Sequence, residues 1–233
     1  MKIPLFSIAI PTYEMGNVGA SYLDFSLSIL AKQTFKNFEV VISDHSANSE
    51  IRAIAVKWLN CGVDVRYHRN TCRRGSSSSN LNSAIRGCTG EYLKLLFQDD
   101  FLFSEHSLEL TARCLLRTPH KHWLVSACQH FSEDKGFYRE FYPHFDCSIF
   151  LGNNTISSPS VLTMKRDMCE EFDENLIWLM DVEYYKRLFN LFGYPAFLNE
   201  ITVVNRVSEH QLSNRIPSAV RESELAYVSK LYK

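Results

Sequence analysis

No stretch of this chain approaches the roughly 18 consecutive apolar residues that a membrane-spanning helix needs. Neither sign of charge dominates. The 25 Lys and Arg stand against 26 Asp and Glu, so the basic excess of a dedicated nucleic-acid binder is missing. The seven cysteines (Cys61, Cys72, Cys88, Cys114, Cys128, Cys147 and Cys169) include no C-x-x-C pair. Such an odd, dispersed set excludes a disulfide framework or a zinc ribbon and reads as buried, reduced thiols. Glycine is scarce, nine in 233 residues. It forms neither a G-x-G-x-x-G turn after the first strand, which excludes a Rossmann dehydrogenase, nor a P-loop. No internal repeat and no Pro/Gly-rich linker divides the sequence. What remains is 45% hydrophobic and 22% charged, the make-up of an ordinary globular protein with apolar residues enough for its own core. The first residues are apolar, but Pro11, Thr12, Tyr13 and Glu14 follow where a secretory signal would carry small cleavage-site residues. The segment is therefore expected to be a strand and the protein cytoplasmic.

The first half alternates strand and helix patterns. Residues 5–10 form an apolar, β-rich run ended by Pro11, and residues 20–32 place Leu23, Leu27, Leu30 and Ala31 at helical spacing. A second run, 38–43, closes on Asp44; residues 49–59 read as a helix and 63–67 as a third strand. A basic, serine-rich loop at 69–79 leads into a helix through Arg86, and a fourth strand at 91–97 stops at Gln98, Asp99 and Asp100. Short apolar strands separated by helices predict βαβ units, hence an α/β fold with a largely parallel sheet covered on both faces. Ligands of such sheets bind beyond the carboxyl ends of the strands. Pro11 to Glu14, Asp44 and the Asp99-Asp100 pair all fall there.

The second half is less regular. It predicts a helix at 104–117, a strand at 122–129, an aromatic-rich β segment or loop at 135–151 and a polar turn at 152–159. A helix at 181–192, a strand at 197–205 and a closing helix at 217–232 complete the chain. One domain is expected, with a nucleotide-binding half at 1–103 and a substrate-binding half at 104–233.

Among candidate chemical groups, Asp99-Asp100 is the sharpest. Two adjacent carboxylates ending an apolar strand repel each other and lose water, a cost that a divalent cation offsets. Their oxygens suit Mg²⁺ or Mn²⁺. The plainer reading is a strand end that caps the next helix. Asp44 is equally a turn residue, and the loop Arg73-Arg74-Gly75-Ser76 is equally a flexible N-cap or a way to bring amides and arginines to a diphosphate. Asp181 opens an amphipathic helix after Trp178-Leu179-Met180. It reads as an N-cap or as a partly desolvated general base, with Glu183 its nearest competitor. His210 lies in a polar stretch, where a surface role is the plain reading.

Together these pieces resemble the family 2 glycosyltransferases of GT-A fold. The resemblance rests on Ile10-Pro11-Thr12-Tyr13-Glu14, on the segment from Gln33 through Phe38 to Asp44, and on Asn82-Ser83-Ala84-Ile85 with Gly90-Glu91-Tyr92-Leu93. It continues in Gln98-Asp99-Asp100, Asp181-Val182-Glu183 and the tail from Arg206 to His210-Gln211-Leu212-Ser213. It implies that Pro11, Thr12, Tyr13 and Glu14 form the nucleotide loop, that Asp44 bonds the base and that Asn82 sits near the nucleotide. Asp99 would be the metal-binding acid of the family's D-x-D motif, with Asp100 as the alternative ligand and His210 as a further one. The motif's first acid falls on Phe97, so its ribose contact is lost or passes to Gln98. Asp181 would be the base of an inverting transfer from a nucleoside-diphosphate sugar (UDP-, GDP- or dTDP-linked) to a saccharide or lipid-linked saccharide acceptor. Such enzymes use Mn²⁺ or Mg²⁺ and often build surface polysaccharides at the inner face of the membrane, so any membrane contact here would be peripheral. Two other readings stand beside it: a sugar- or partner-binding protein that has lost catalysis, suggested by Phe97, and a sugar nucleotidyltransferase. The latter wants a glycine-rich loop where Pro-Thr-Tyr-Glu stands.

Overall fold

The computed structural model describes residues 3–209 and 216–232. The first strand, β1 (Phe6–Thr12), is buried along its whole length. Phe6, Ile8, Ala9 and Ile10 have no exposed surface, and burying each large side chain contributes about 1.5–3 kcal/mol. On one side β1 pairs in parallel with β2 (Phe38–Asp44), from Phe6↔Phe38 to Thr12↔Asp44. On the other it pairs with β4 (Tyr92–Leu95), but only as far as Ala9↔Leu95. That shorter pairing explains a departure from expectation. Pro11 does not end the strand, because its ring nitrogen faces the side that β4 has already left, and no ladder bond is lost there.

Among the described residues nine strands join one mixed sheet in the order β3-β2-β1-β4-β8-β6-β9-β5, with β7 paired to β6. The parallel half holds β3 (Val65–Arg69), and its crossovers are α1 (Gly19–Ala31), α2 (Glu50–Asn60) and α3 (Ser77–Arg86). The other half contains β5 (Phe101–Leu102), α4 (Ser107–Arg117), β6 (Trp123–Ser132), β7 (Gly136–Phe141), β8 (Leu162–Lys165), α5 (Met180–Phe192), β9 (Ala196–Arg206) and α6 (Ser218–Leu231). β8 runs antiparallel between β4 and β6, while β6 and β9 are parallel. The sequence pattern does not reveal β5 or β8. Each is at most four residues long and is held by its neighbours rather than by any period of its own.

Lys94 stands in the middle of β4 with 1% of its surface exposed. Its ammonium donates to the Ser160 carbonyl, and burial pulls its pKa down to about 7. The seven cysteines are all unpaired, but Cys61, Cys72 and Cys147 are exposed rather than buried. No described helix is long and apolar enough to cross a membrane.

Candidate active site

The carboxyl ends of β1, β2 and β4 open onto a cavity of about 490 Å³, closed on the far side by the segment leading into α5. Three of the expected nucleotide-loop residues, Pro11, Tyr13 and Glu14, line it. Thr12 lies beneath them, fully buried, with its hydroxyl donating to the Ser43 carbonyl at 3.1 Å. The loop is held in shape from below. The Gln98 amide accepts from the Tyr13 N–H and donates to the Tyr13 carbonyl. The Glu14 carboxylate accepts from the Ala47 N–H. Gly19 at the start of α1 makes this closeness possible, since a Cβ there would stand 2.1 Å from the Tyr13 carbonyl oxygen and 2.5 Å from Gln98 Nε2. Gln98 therefore spends both ends of its amide on the loop.

Asp44 is not among the lining residues. It is fully buried, and four groups converge on its carboxylate. The Ser46 N–H donates at 2.8 Å, Tyr67 Oη at 2.7 Å and Thr12 Oγ1 at 3.5 Å, while Arg69 Nε stands 3.4 Å away. It reaches a base only by giving up one of these partners. The cavity instead receives the next residue, His45, whose Nε2 lies 3.0 Å from the Cys72 carbonyl. Burial lowers its pKa, so the ring is neutral and Nε2 carries the proton given to that carbonyl. Arg74 lines the cavity beside it and donates to the His45 and Ser46 carbonyls at 3.0 and 2.8 Å.

The expected role of Asn82 is also corrected. Asn82 is fully buried and faces away from the cavity, bracketing Phe172: its Nδ2 donates to the Phe172 carbonyl at 2.9 Å and its Oδ1 accepts from the Phe172 N–H at 2.8 Å. The asparagine that lines the cavity is Asn80, whose Nδ2 donates to the Thr12 carbonyl at 3.0 Å. Two residues along a helix turn the side chain by about 200°, to the opposite face. Asn82→Ala is therefore expected to cost about 2 kcal/mol through the unpaired Phe172 backbone, roughly 4–8 °C in melting midpoint. Nucleoside-diphosphate affinity should stay within twofold. A weakened affinity with an unchanged melt would instead return Asn82 to the nucleotide.

Asp99 and Asp100 point to different tasks. The Asp100 oxygens accept from the Arg206 N–H at 3.0 Å, Asn205 Nδ2 at 2.9 Å and Ser158 Oγ at 3.1 Å. With these donors in place it is a poor ligand for an ion, contrary to its candidacy. Asp99 lines the cavity, its backbone carbonyl held by Arg206 Nε at 3.2 Å. Burial first, and then the neighbouring Asp100 charge, pushes its pKa up to about 7. Arg206 lies under both acids in a box of Tyr22, Phe25, Phe101 and Phe131, 4.4–5.7 Å from their ring centroids. Among the described residues no group of three or more His, Cys, Asp or Glu is arranged to hold a metal ion. The donor set still fits Mn²⁺ or Mg²⁺, which bind through one or two carboxylates and complete their shell with phosphate oxygens and water. Asp99 is the carboxylate available for that. His210 lies outside the described residues.

Asp181 lines the same cavity from the first turn of α5. Its Oδ2 accepts from Asn154 Nδ2 at 2.7 Å and its Oδ1 from the Val182 N–H at 2.8 Å. Burial outweighs both bonds and raises its pKa to about 6. Its competitor Glu183 turns away from the cavity, held by Arg187 at 3.0 Å and by Tyr232 Oη at 2.7 Å. Asn154 is itself locked: Oδ1 accepts from the Ser157 N–H at 2.8 Å. Ser157 sits at a φ of 95°, a conformation that costs a non-glycine residue on the order of 1–3 kcal/mol. Its hydroxyl donates to Asn205 Oδ1 at 3.1 Å, and Asn205 in turn holds Asp100. One hydrogen-bonded chain thus runs from Asp181 to the acidic pair through residues that lie between positions 100 and 205 of the sequence. Asn154, Ser157 and Asn205 carry no local pattern that marks them. His45 has one weak signal, its place directly after a strand-ending acid.

The model of Glycosyl transferase family 2 matches residues 7–172. A glycosyltransferase of Rickettsia typhi, not otherwise characterised, is 24% identical over 252 residues, covering 99% of this chain and 72% of its own. A PGL/p-HBAD biosynthesis glycosyltransferase of Mycobacterium bovis is 32% identical over 113 residues, 48% of this chain and 42% of that one. Among solved structures, residues 1–349 of S. aureus TarS in complex with UDP superpose with a TM-score of 0.69 at 19% identity, over 96% of this chain and 70% of that one. The mannosyltransferase PcManGT of Pyrobaculum calidifontis, in complex with GDP-Man and Mn²⁺, gives 0.63 at 16% identity, over 90% and 59%. The fold is thus of the GT-A type, and the chain belongs to glycosyl transferase family 2.

Proposed function

We propose that this enzyme is an inverting transferase that moves a sugar from a nucleoside-diphosphate donor to an acceptor hydroxyl. Nucleotide would bind on the β1, β2 and α3 side of the cavity and acceptor against residues 177–181. The observation that carries this reading is a single cavity whose lining acids include two, Asp99 and Asp181, of different character. Asp99 lines it beyond the end of β4, as do Arg74 and the start of α3. Asp181 lines it from the first turn of α5 with a pKa of about 6, ionised at neutral pH yet more basic than an ordinary carboxylate.

The chemistry follows from those placements. Asp181 takes the proton of the acceptor hydroxyl as its oxygen attacks the anomeric carbon. The bond to the diphosphate breaks on the opposite face, so the centre inverts and an α-linked donor gives a β linkage. Arg74 and the amides opening α3 draw the charge that gathers on the leaving diphosphate. Asp99 is the residue that would hold Mn²⁺ or Mg²⁺, which when bound supplies further positive charge there. The Mn²⁺ complex of the P. calidifontis enzyme supports this part of the reading. In this reading the enzyme takes part in assembling surface polysaccharide or another glycan; the mycobacterial relative is likewise named for a biosynthesis, that of PGL/p-HBAD. Any contact with the membrane is peripheral in this account.

A thermal-shift screen with UDP, GDP, dTDP and CDP, each with and without Mn²⁺, tests the donor side. At about 100 times Kd a ligand stabilises by roughly 2.7 kcal/mol, a shift of several degrees in a domain of this size. One nucleotide class should shift the melt, and more so with Mn²⁺. No shift with any of them, or a shift indifferent to metal, counts against the donor site or the ion on Asp99 respectively.

A further inference from the structure

The residue before the first turn of α5 is Leu179, which offers no side-chain acceptor; within the turn, Asp181 itself takes the Val182 N–H. The backbone N–H groups that lead into the helix are taken by a residue from a different helix. Glu224 of α6 accepts from the Ile177 N–H at 2.8 Å through one oxygen, and from the Trp178 and Leu179 N–H groups at 3.0 and 2.9 Å through the other. Only 5% of Glu224 is exposed. Burying a carboxylate is costly unless strong hydrogen bonds offset it, so this grip tolerates little displacement.

The gripped residues are not a neutral stretch of backbone. Ile177, Trp178, Met180 and Asp181 all line the cavity. Trp178 is held from two further sides. The Arg221 guanidinium of α6 lies 5.2 Å from its ring centroid. Its ring edge also packs on Gly152, where an added Cβ would come within 3.0 Å. α6 itself is pinned by the fully buried Val228 and by Tyr227 Oη, which donates to Asp173 at 2.8 Å. The acceptor wall is therefore placed by a helix that contributes nothing to the nucleotide side.

We propose that Glu224 is a positioning residue for transfer, setting where the Trp178 wall and the Asp181 carboxylate stand relative to the donor. This rests on the reading of Asp181 as base. Displacing a reacting group by about 1 Å can cost on the order of 10²-fold. The same segment is tied to α3 by Ser78 Oγ, which donates to the Leu176 carbonyl at 2.8 Å, and by Ser77 Oγ, 3.1 Å from Met180 Sδ; neither tie passes through Glu224, so the nucleotide side keeps its own support.

The test compares wild type, Glu224→Ala, Glu224→Gln, Asp181→Asn and the double variant Glu224→Ala/Asp181→Asn. The probe is hydrolysis of a UDP-, GDP-, dTDP- or CDP-sugar chosen by the screen above, with water as acceptor, alongside affinity for the matching nucleoside diphosphate. Glu224→Ala should lower kcat roughly 10–100-fold, with the donor KM and diphosphate affinity within twofold. Glu224→Gln keeps one acceptor oxygen and should recover most of that loss. The double variant should be no slower than Asp181→Asn alone, because both changes act through one group. If Glu224→Ala does not fold, Glu224→Gln carries the test with a loss of about 3–10-fold in kcat alone. A Glu224 variant at wild-type rate beside a slow Asp181→Asn overturns this proposal only. Losses that multiply in the double variant, or that fall equally on diphosphate affinity, also overturn it. Asp181→Asn at wild-type rate overturns the base assignment, and the proposal with it.

Discussion

Asp181→Asn is expected to lower sugar transfer by about 10²–10⁴-fold, the usual worth of a positioned general base, and to leave nucleoside-diphosphate affinity within twofold. The amide keeps the shape of the carboxylate but cannot take a proton. Wild-type kcat should fall on the acid side with a midpoint near 6, because the base is lost as Asp181 protonates through its pKa of about 6. That limb should vanish in the variant. Stability should move the other way. A folded pKa above the unfolded value of 3.8 means that the folded state holds the proton more tightly. The contribution to stability is therefore fully present below about pH 4 and is lost as pH rises through about 6. At pH 7.5 the ionised group is a cost, so the melting midpoint of wild type should fall as pH rises through about 6, and that pH dependence should be missing in the variant. Steady-state kinetics from pH 5 to 8, with melts on the same samples, read both effects. Normal turnover in the variant would send the search for a base elsewhere in the cavity, but not to Glu183, whose carboxylate is taken by Arg187 and Tyr232.

Asp99→Asn should show the same opposition more strongly. Activity should drop by roughly 10²–10³-fold, the scale of removing one element of charge stabilisation at a leaving group. The Mn²⁺-dependent part of the nucleotide-induced thermal shift should disappear. In the presence of a chelator the variant should nevertheless be the more stable protein at pH 7.5. The Asp99 pKa of about 7 again lies above the unfolded 3.8, so its stabilisation is present below about pH 4 and is lost as pH rises through 7. Removing that charge should raise the melting midpoint by several degrees. Asp100→Asn should not mimic it. Asp100 holds Arg206, Asn205 and Ser158 through acceptor oxygens, and an amide would turn a donor toward at least one of these donors. A chelated Asp99→Asn that melts below wild type would show that the pair is held together by contacts rather than strained by charge.

These acids mark how far the primary structure could be read. The apolar runs that became β1, β2 and β4 and the amphipathic stretch that became α5 declare themselves locally, because a strand buried on both faces and a helix buried on one must carry those patterns. The strand-end location of Pro11, Asp99 and the loop into α3 followed from the βαβ alternation alone. Asp181 was legible as an acid opening an apolar helix, either a cap or a general base, and the family resemblance favoured the second.

Other features were settled only when distant segments met. Asn80 rather than Asn82 faces the cavity because the helix presents opposite sides to β1 and to Phe172, and a motif position does not record which side that is. Asp100 was separated from Asp99 by Asn205 and Ser158, contributed from β9 and from the turn before β8. Asp44 was withdrawn from the cavity by Tyr67 and Arg69 of the neighbouring strand. Local periodicity marked β1, β2, β4, the long helices and the end of the sheet at which the site lies, since those depend on neighbours along the chain. Which acid is exposed, which is neutralised and which is raised in basicity depends on burial and donors brought from tens of residues away, and only the tertiary structure decides that.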